Sequence, residues 1–571
     1  MTKALTNAAL RGRRGVLGPP VLRPRSLALA ASIAWRHVTA DPVRVPLLAW
    51  RVLPPRLRRG IRYLGPYGTA AALWSAGERT ASLASLGRRP RRLAAFALAV
   101  DQPQAARTAL AAVPDGAWRR QDLLARLAWR EGRLTDAARA LDGARGRRAG
   151  RLRAALAESV VTETGTAQRS AVRCVPGRVL HIVTDALPST SAGYTIRTHE
   201  IAVAQRQAGL DPHIVTPPGY PVTAGSLDGR RLVTLDQVPY HRLLPWTLPR
   251  SPSGSGTSEL ALRLARELRP QVLHPASNYK NARIALELRD RLGIPVVYEV
   301  RGFWEDTWLS RHPGEAEALR ASERYQAIRD EETRCMRAAD LVITLGEAMR
   351  EEIAGRGVSR DKIEIVPNAV SPDFLRELIP VAHADYVVGT VTTLVPHEGL
   401  GTLLDATKIL AGRGIPARAL IVGDGPELAA LRRHAEITGT NATFTGRVPA
   451  AKVRDFHALL DVFVVPRTRD RVCQLVTPLK PVEAMASGLC VVTSELSALA
   501  EIVKHQVTGA LTMPQDPVSL ADCLEFLFYS PDIRVKLGTA AREWVAADRT
   551  WSRNAVRYQQ AYARLTTLTG H

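Results

Sequence analysis

The sequence predicts an α/β chain with two facing Rossmann-like domains, preceded by a basic, α-helical region. Three observations predict it. From Gly177 onward, short apolar runs of strand length alternate with stretches of helical periodicity, the pattern of parallel sheets wound with helices. Near His383 the alternation starts again, so two halves of similar size are expected to face one another across a cleft. Charge is divided unevenly. Of a formal net charge of +24 over 571 residues, residues 1–175 hold 32 Lys and Arg against 10 Asp and Glu, a surplus of +22. The remainder is close to neutral.

The length exceeds what one core supports, and the overall composition is that of an ordinary globular protein. Cys174, Cys335, Cys473, Cys490 and Cys523 are odd in number and lack metal-type spacing, which argues against a disulfide framework and for a reducing compartment. No uninterrupted apolar stretch is long enough for a transmembrane helix. The run Ser26–Trp35 lies too far from the start for a signal peptide and lacks a small-residue cleavage site. The expected location is cytoplasmic, with peripheral attachment to the inner face of the plasma membrane as an extension of that reading.

In order along the chain, residues 1–90 are rich in Arg and Pro, and the prolines restrict this extension to short helices with loose connections. In 56–65 and 87–100 arginines alternate with apolar residues. A surface of this kind suits anionic lipid, and compositional drift with no partner leaves the same trace. Nucleic acid is disfavoured, because no zinc spacing, helix-turn-helix or RNA-binding motif accompanies the arginines. Residues 91–172 read as helical. The segments 99–114 and 128–144 are alike at an offset of 31 or 32 residues, each with a turn before an Ala-rich helix. Tetratricopeptide-like hairpins and a plain helical bundle both fit.

The first half, 177–382, begins with the strand 178–185, a small-residue loop containing Gly193, a helix ending at Gly209 and a strand at 213–217. That is the doubly wound unit, whose ligands gather at the carboxyl ends of its strands. Gly193 permits close approach to the backbone and Arg197 lies one turn into the helix. Residues 223–257 read as an insertion or long loop. Later strands fall at 271–275, 295–300, 341–345 and 363–367, with Glu299, Arg301, Glu305 and Asp306 just past a strand end. The second half, 383–545, repeats the theme at 386–410, 417–427, 442–453, 461–467 and 488–496. Residues 546–571 form a last helix expected to cross back to the first half.

One stretch organises the second half. In VTPLKPVEAMASG, Thr477 before Pro478 reads as a helix start whose free N–H groups favour an anion. Lys480 adds a positive charge, and Glu483 sits one turn in, able to accept from a pair of sugar hydroxyls. Exposed lysines and glutamates are common on any helix, so the surroundings decide.

Taken together, SAGYTIRTHE, AADLVITLGEAMREEI, KIEIVPNAVSPDF, VGTVTTLVPHEGLGTLLDA, LIVGDGPE, FTGRV, DVFVVP and PVEAMASGLCVV resemble, in order and spacing, the retaining glycosyltransferases of family 4, with the GT-B architecture. The likeness spans about Arg178 to Ala561. It implies a nucleotide-sugar donor on the second half and a glycan or lipid-linked acceptor on the first, with retention, in cell-surface polysaccharide assembly. By the same resemblance Arg301, Lys480 and Arg467 serve catalysis. Gly193, Arg197, Thr393, Gly423, Gly446, Arg447, Val448, Thr477, Leu479 and Glu483 line the donor, Glu483 on the ribose and 446–448 on the base. No metal or cofactor is implied beyond the nucleotide-sugar co-substrate. Three features depart from the family. Thr393 and Glu398 stand where an arginine and a lysine usually hold the diphosphate, Leu475 stands where a paired glutamate is usual, and Val300 or Arg301 replaces a histidine. Lys480, Arg467, Arg301 and Arg197 are the cations left to carry the phosphate charge, as in a subgroup with a T-P-L-K-P loop. A GT-B scaffold without turnover, recruiting partners through its helical arm, is the alternative.

Overall fold

The computed structural model describes residues 19–41, 43–117, 119–142, 144, 147–159, 170, 172–249, 255–312 and 314–568. What the sequence suggests for residues 1–18 lies outside them.

Valine, leucine and isoleucine runs build the first half into a sheet of strands β1 (Val175–Ile182), β2 (Asp211–Thr216), β3 (Leu232–Leu235), β4 (Val238–Arg242) and β5 (Pro270–Pro275), in the order β3-β4-β2-β1-β5. Single parallel bridges, Leu273 to Val296 and Ala276 to Glu299, continue it into β6 (Val297–Glu299), β7 (Leu341–Thr344) and β8 (Ile363–Ile365). All pairings are parallel except β3 with β4. The expected long loop at 223–257 is therefore partly a hairpin. Its turn, Asp236-Gln237, has φ of 45° and 64°, a left-handed geometry that Asp-Gly or Asn-Gly would have signalled and Asp-Gln does not.

The second half contains β9 (Tyr386–Val391), β10 (Ala417–Val422), β11 (Ala442–Gly446), β12 (Val462–Val465), β13 (Cys490–Ser494) and β14 (Ala510–Thr512). Their order is β11-β10-β9-β12-β13-β14, with all pairings parallel. This order reverses direction between β9 and β12. Chain leaves those two strands toward opposite sides, so a crevice opens outside their carboxyl ends.

The chain passes between the halves twice. The first passage follows β8. The second lies between the helices Pro531–Asp548 and Trp551–Leu568. The two passages touch, through a parallel bridge of Val370 with Thr550 and a 2.9 Å bond from Val370 N–H to the Arg549 carbonyl. Beyond it, Trp551, Ala555, Tyr558, Tyr562 and Leu565 are buried against Val179, Ile201, Val272 and Ile343 of the first half.

The N-terminal extension is docked rather than loose. Helix Pro24–Ala40 packs Leu29 against Val222 and Leu244. Hairpins follow, Pro90–Ala99 with Pro103–Ala111 and Arg120–Arg130 with Leu134–Leu141. Their turns match at an offset of 31 residues. Asp101 and Gly132 both have positive φ (59° and 79°), and the next N–H, of Gln102 or Arg133, bonds 2.8 Å to the carbonyl of Ala97 or Ala128. Arg324 of the first half lies between the rings of Trp129 and Trp308, 4.5 and 4.8 Å from their centroids, fixing this arm in place.

Candidate active site

The crevice at the ends of β9 and β12 holds the charged groups. Thr392 follows β9 directly and Arg467 comes two residues after β12. The Lys480 ammonium donates to Thr392 Oγ1 at 2.7 Å. Arg467 donates to Glu398 at 2.7 Å and to the Val476 carbonyl at 3.2 Å. Burial alone would raise the Glu398 carboxyl, but Arg467 and Lys480 outweigh it and hold the group at about 2. Burial lowers the Lys480 ammonium, with Glu398 opposing. The acidic residue at a position usually cationic in the family thus has a physical account. It pairs with an arginine from the next strand end and leaves Lys480 as the surplus cation.

Glycines let these loops close on one another. Gly423, after β10, has φ of 146°, and a Cβ there would stand 1.8 Å from the Thr392 carbonyl oxygen. Its N–H bonds to the Gly446 carbonyl at 3.0 Å. Thr393 is exposed beside Thr392. Arg447 reaches the Ser191 carbonyl of the first half at 3.2 Å, so the loop after β11 meets the loop before Gly193. Gly193 opens its helix, with nothing within 4 Å of where a Cβ would stand. Val448 packs on the apolar core of the second half.

The helix after this loop starts later than the sequence suggests. It runs Lys480–Ala486, with Pro481 in its first turn, and Leu479 precedes it without a side-chain cap. Thr477 does not cap it. Its carbonyl accepts from Asn368 at 2.8 Å, and its hydroxyl is buried with no hydrogen-bond partner among the described residues. The start shifts because Pro478 and Pro481 compete for the first turn, and the second wins. Glu483 lies one turn in. Burial raises its carboxyl to about 7, with Lys480 opposing and Glu200 of the first half adding to the rise.

Arg197 is not at the crevice. Its side chain is 3% exposed and bonds to Glu299 at 2.8 and 2.9 Å, the Val366 and Pro367 carbonyls and Asn368. Glu299 is the hub of this buried network. It also accepts from Arg301 at 3.0 Å and from Tyr558 at 3.2 Å, and lies 2.9 Å from His274 Nε2. Burial would raise its carboxyl, yet Arg301 and Arg197 hold it well below the usual range. Arg301 is fixed further by Thr198 at 2.7 Å and the Tyr194 carbonyl at 3.0 Å, which places it against the helix that Gly193 opens. Sequence reasoning missed Thr392 and Asn368. The P-N-x-V element was the available signal for Asn368, whose amide joins Arg197 to the Thr477 carbonyl.

The two halves are clasped along one flank. Glu501 accepts from the N–H groups of Glu347 and Ala348 at 2.8 and 2.6 Å, capping a helix of the opposite half. Arg471 bonds to Glu352 at 2.6 Å and lies 3.3 Å from Asp306. Between them is a cavity of about 1200 Å³ lined from both halves, including Tyr325, Arg329, Gln474 and Leu475. Among the described residues no group of three metal-ligating side chains occurs, and no helix is long and apolar enough to cross a membrane.

Residues 192–369 match the family model described as glycosyl transferase 4-like domain, and residues 385–529 match that of glycosyl transferases group 1. Together the two matches span more than half of the chain, which belongs to the glycosyl transferases that these models describe. Its architecture is GT-B: sucrose-phosphate synthase from Thermosynechococcus elongatus superposes with a TM-score of 0.55 at 18% identity, over 68% of this chain and all of that one. A GDP-mannose-dependent alpha-(1-6)-phosphatidylinositol monomannoside mannosyltransferase of Mycobacterium tuberculosis is 32% identical over 226 residues, 37% of this chain. That match spans 58% of the relative's length. The glycogen synthase of the same organism is 24% identical over 420 residues, 67% of this chain and 94% of the relative. Neither family model reaches residues 1–191, so the helical extension is an addition to the glycosyltransferase fold.

Proposed function

We propose that this glycosyltransferase moves a sugar, with retention, from a nucleoside-diphosphate donor on the second half to a glycan or lipid-linked acceptor on the first. The observation that supports it is the charge cluster at the reversal point between β9 and β12. Lys480, Arg467 and Glu398 sit there together, with the unpartnered Thr477 hydroxyl close by in sequence. One surplus positive charge and an orphaned hydroxyl at a strand-end crevice suit a diphosphate. Glu483 is placed one helical turn from Lys480, where an ionised carboxylate accepts from the two ribose hydroxyls. Arg301, held by Glu299, Thr198 and the Tyr194 carbonyl beside the helix that Gly193 opens, adds positive charge on the acceptor side of the departing phosphate. No strong base is needed in such a scheme, because the leaving diphosphate takes the acceptor proton on the same face. Positioning and charge stabilisation carry the rate.

The 32%-identical relative is named for GDP-mannose and a phosphatidylinositol mannoside. Those names support a nucleoside-diphosphate sugar as donor and a lipid-linked glycan as acceptor. The test is release of nucleoside diphosphate from a panel of sugar nucleotides, with membrane extract as acceptor source. Turnover that collapses on Lys480→Ala supports the reading. Binding of a sugar nucleotide by calorimetry with no transfer from any donor would favour a scaffold instead.

A further inference from the structure

A helix with apolar residues on two opposite faces needs a partner for each. Helix Pro24–Ala40 has this character. One face is used: Leu29 is fully buried against Val222 and Leu244, with Ile33 beside it, and Arg36 donates to the Leu248 and Pro249 carbonyls. Arg25 on the same side stacks on Trp246 at 5.0 Å. The opposite face holds Leu27, Ala31, Ala34, Trp35 and Val38, all exposed. Their spacing of three and four residues puts them in one stripe with no charged residue in it. Trp35 is 61% exposed, Leu27 48% and Val38 45%.

The surroundings of this stripe carry one sign of charge. Residues 19–77 contain nine arginines and a single acid, Asp41, which is itself bonded to Arg126 at 2.7 Å. Exposed apolar and basic side chains alternate in the next segments: Arg44 with Leu48, then Arg56, Leu57, Arg62, Tyr63 and Leu64. An apolar stripe with a tryptophan, flanked by arginines in large excess over acids, complements a surface that is hydrocarbon beneath and anionic at its head groups.

We propose that the outward face of helix Pro24–Ala40, with the arginine-rich segment 44–64, lies on an anionic lipid bilayer. The helix is fixed to the first half through Val222, Leu244 and the carbonyls that Arg36 holds. The membrane-bound part is therefore the first half. This contact does not depend on the transfer chemistry.

The test is co-sedimentation of the full chain with vesicles of phosphatidylcholine, alone or with about one-third phosphatidylglycerol. Binding is expected only to the anionic vesicles, and should fall steeply between about 0.05 and 0.5 M salt. The pair Leu27→Glu and Trp35→Glu should weaken it at least about tenfold. Arg56→Gln with Arg62→Gln should weaken it less and flatten the salt dependence. Neither pair touches the docked face, and an unchanged circular-dichroism spectrum and melting curve check the fold. Absent binding to anionic vesicles, or equal binding by parent and both variants, overturns the proposal. So does a parent dimer in ultracentrifugation that the Leu27→Glu, Trp35→Glu variant disperses, which would make a second copy the occupant.

Discussion

Replacing Glu483 by Gln should make the empty protein more stable and the nucleotide weaker-bound, two effects of opposite sign from one atom exchange. The carboxyl titrates at about 7 in the folded chain against an ordinary 4.5. Between those values the folded state holds a proton that the unfolded state has released, so stability falls as pH rises through this window and stays low above it. At about 1.36 kcal/mol per unit, the gap costs the parent about 3 kcal/mol at pH 8, and about 1 kcal/mol at pH 5.5. Glutamine fills the same space without the charge and avoids that cost. Urea unfolding of parent and variant at both pH values reads the difference directly. The same exchange weakens a carboxylate that accepts from two ribose hydroxyls, worth about 1.5–3 kcal/mol, or roughly 10- to 100-fold in nucleotide affinity by calorimetry. A variant less stable than the parent at pH 8 would show that the carboxylate serves the fold. An unchanged nucleotide affinity would remove Glu483 from the donor site.

Other outcomes follow from the same geometry. Lys480→Ala should lower kcat by about 10²–10³ while the melting temperature hardly moves, as steady-state kinetics would show. Arg467→Met strands a carboxylate that is 7% exposed and should cost about 3–5 kcal/mol in urea unfolding, whereas adding Glu398→Leu should restore most of the stability but not the turnover. Glu501→Ala removes the cap on Glu347 and Ala348 and should open the unliganded cleft, read as a larger radius of gyration in solution scattering that donor reverses.

The fold was legible because its strands are buried on both faces and so read as continuous Val, Leu and Ile runs, with 3.6-residue periods between them. What escaped was short or irregular. β3 and β4 were hidden by an unconventional Asp-Gln turn, and β14 is a three-residue strand preceded by Gly509. A motif does place Lys480 and Glu483 one turn apart on one helix, as the structure has them. Arg197 misled because its place in the chain, one turn into the first glycine-loop helix, suits a phosphate ligand. Only the packing of Tyr558 and Glu299 around it reveals that it serves the interior. Glu398 reads as a lost cation until its partner, 69 positions away, is placed beside it. Pairings over such distances leave no local periodicity for a reader of sequence to find.

The neighbouring passages at Val370 and Thr550 also limit how the enzyme can move. Two lobes joined by a single tether can swing, twist and slide. Joined by two segments bridged side by side, they have most of those freedoms removed, and what is left is rotation about a line through the bridge. Arg197 and Asn554 both bond to the Pro367 carbonyl next to that line, so the axle is anchored in the first lobe. Opening to admit a donor is then a swing that lifts Glu501 from its helix while hardly disturbing the residues around Glu299.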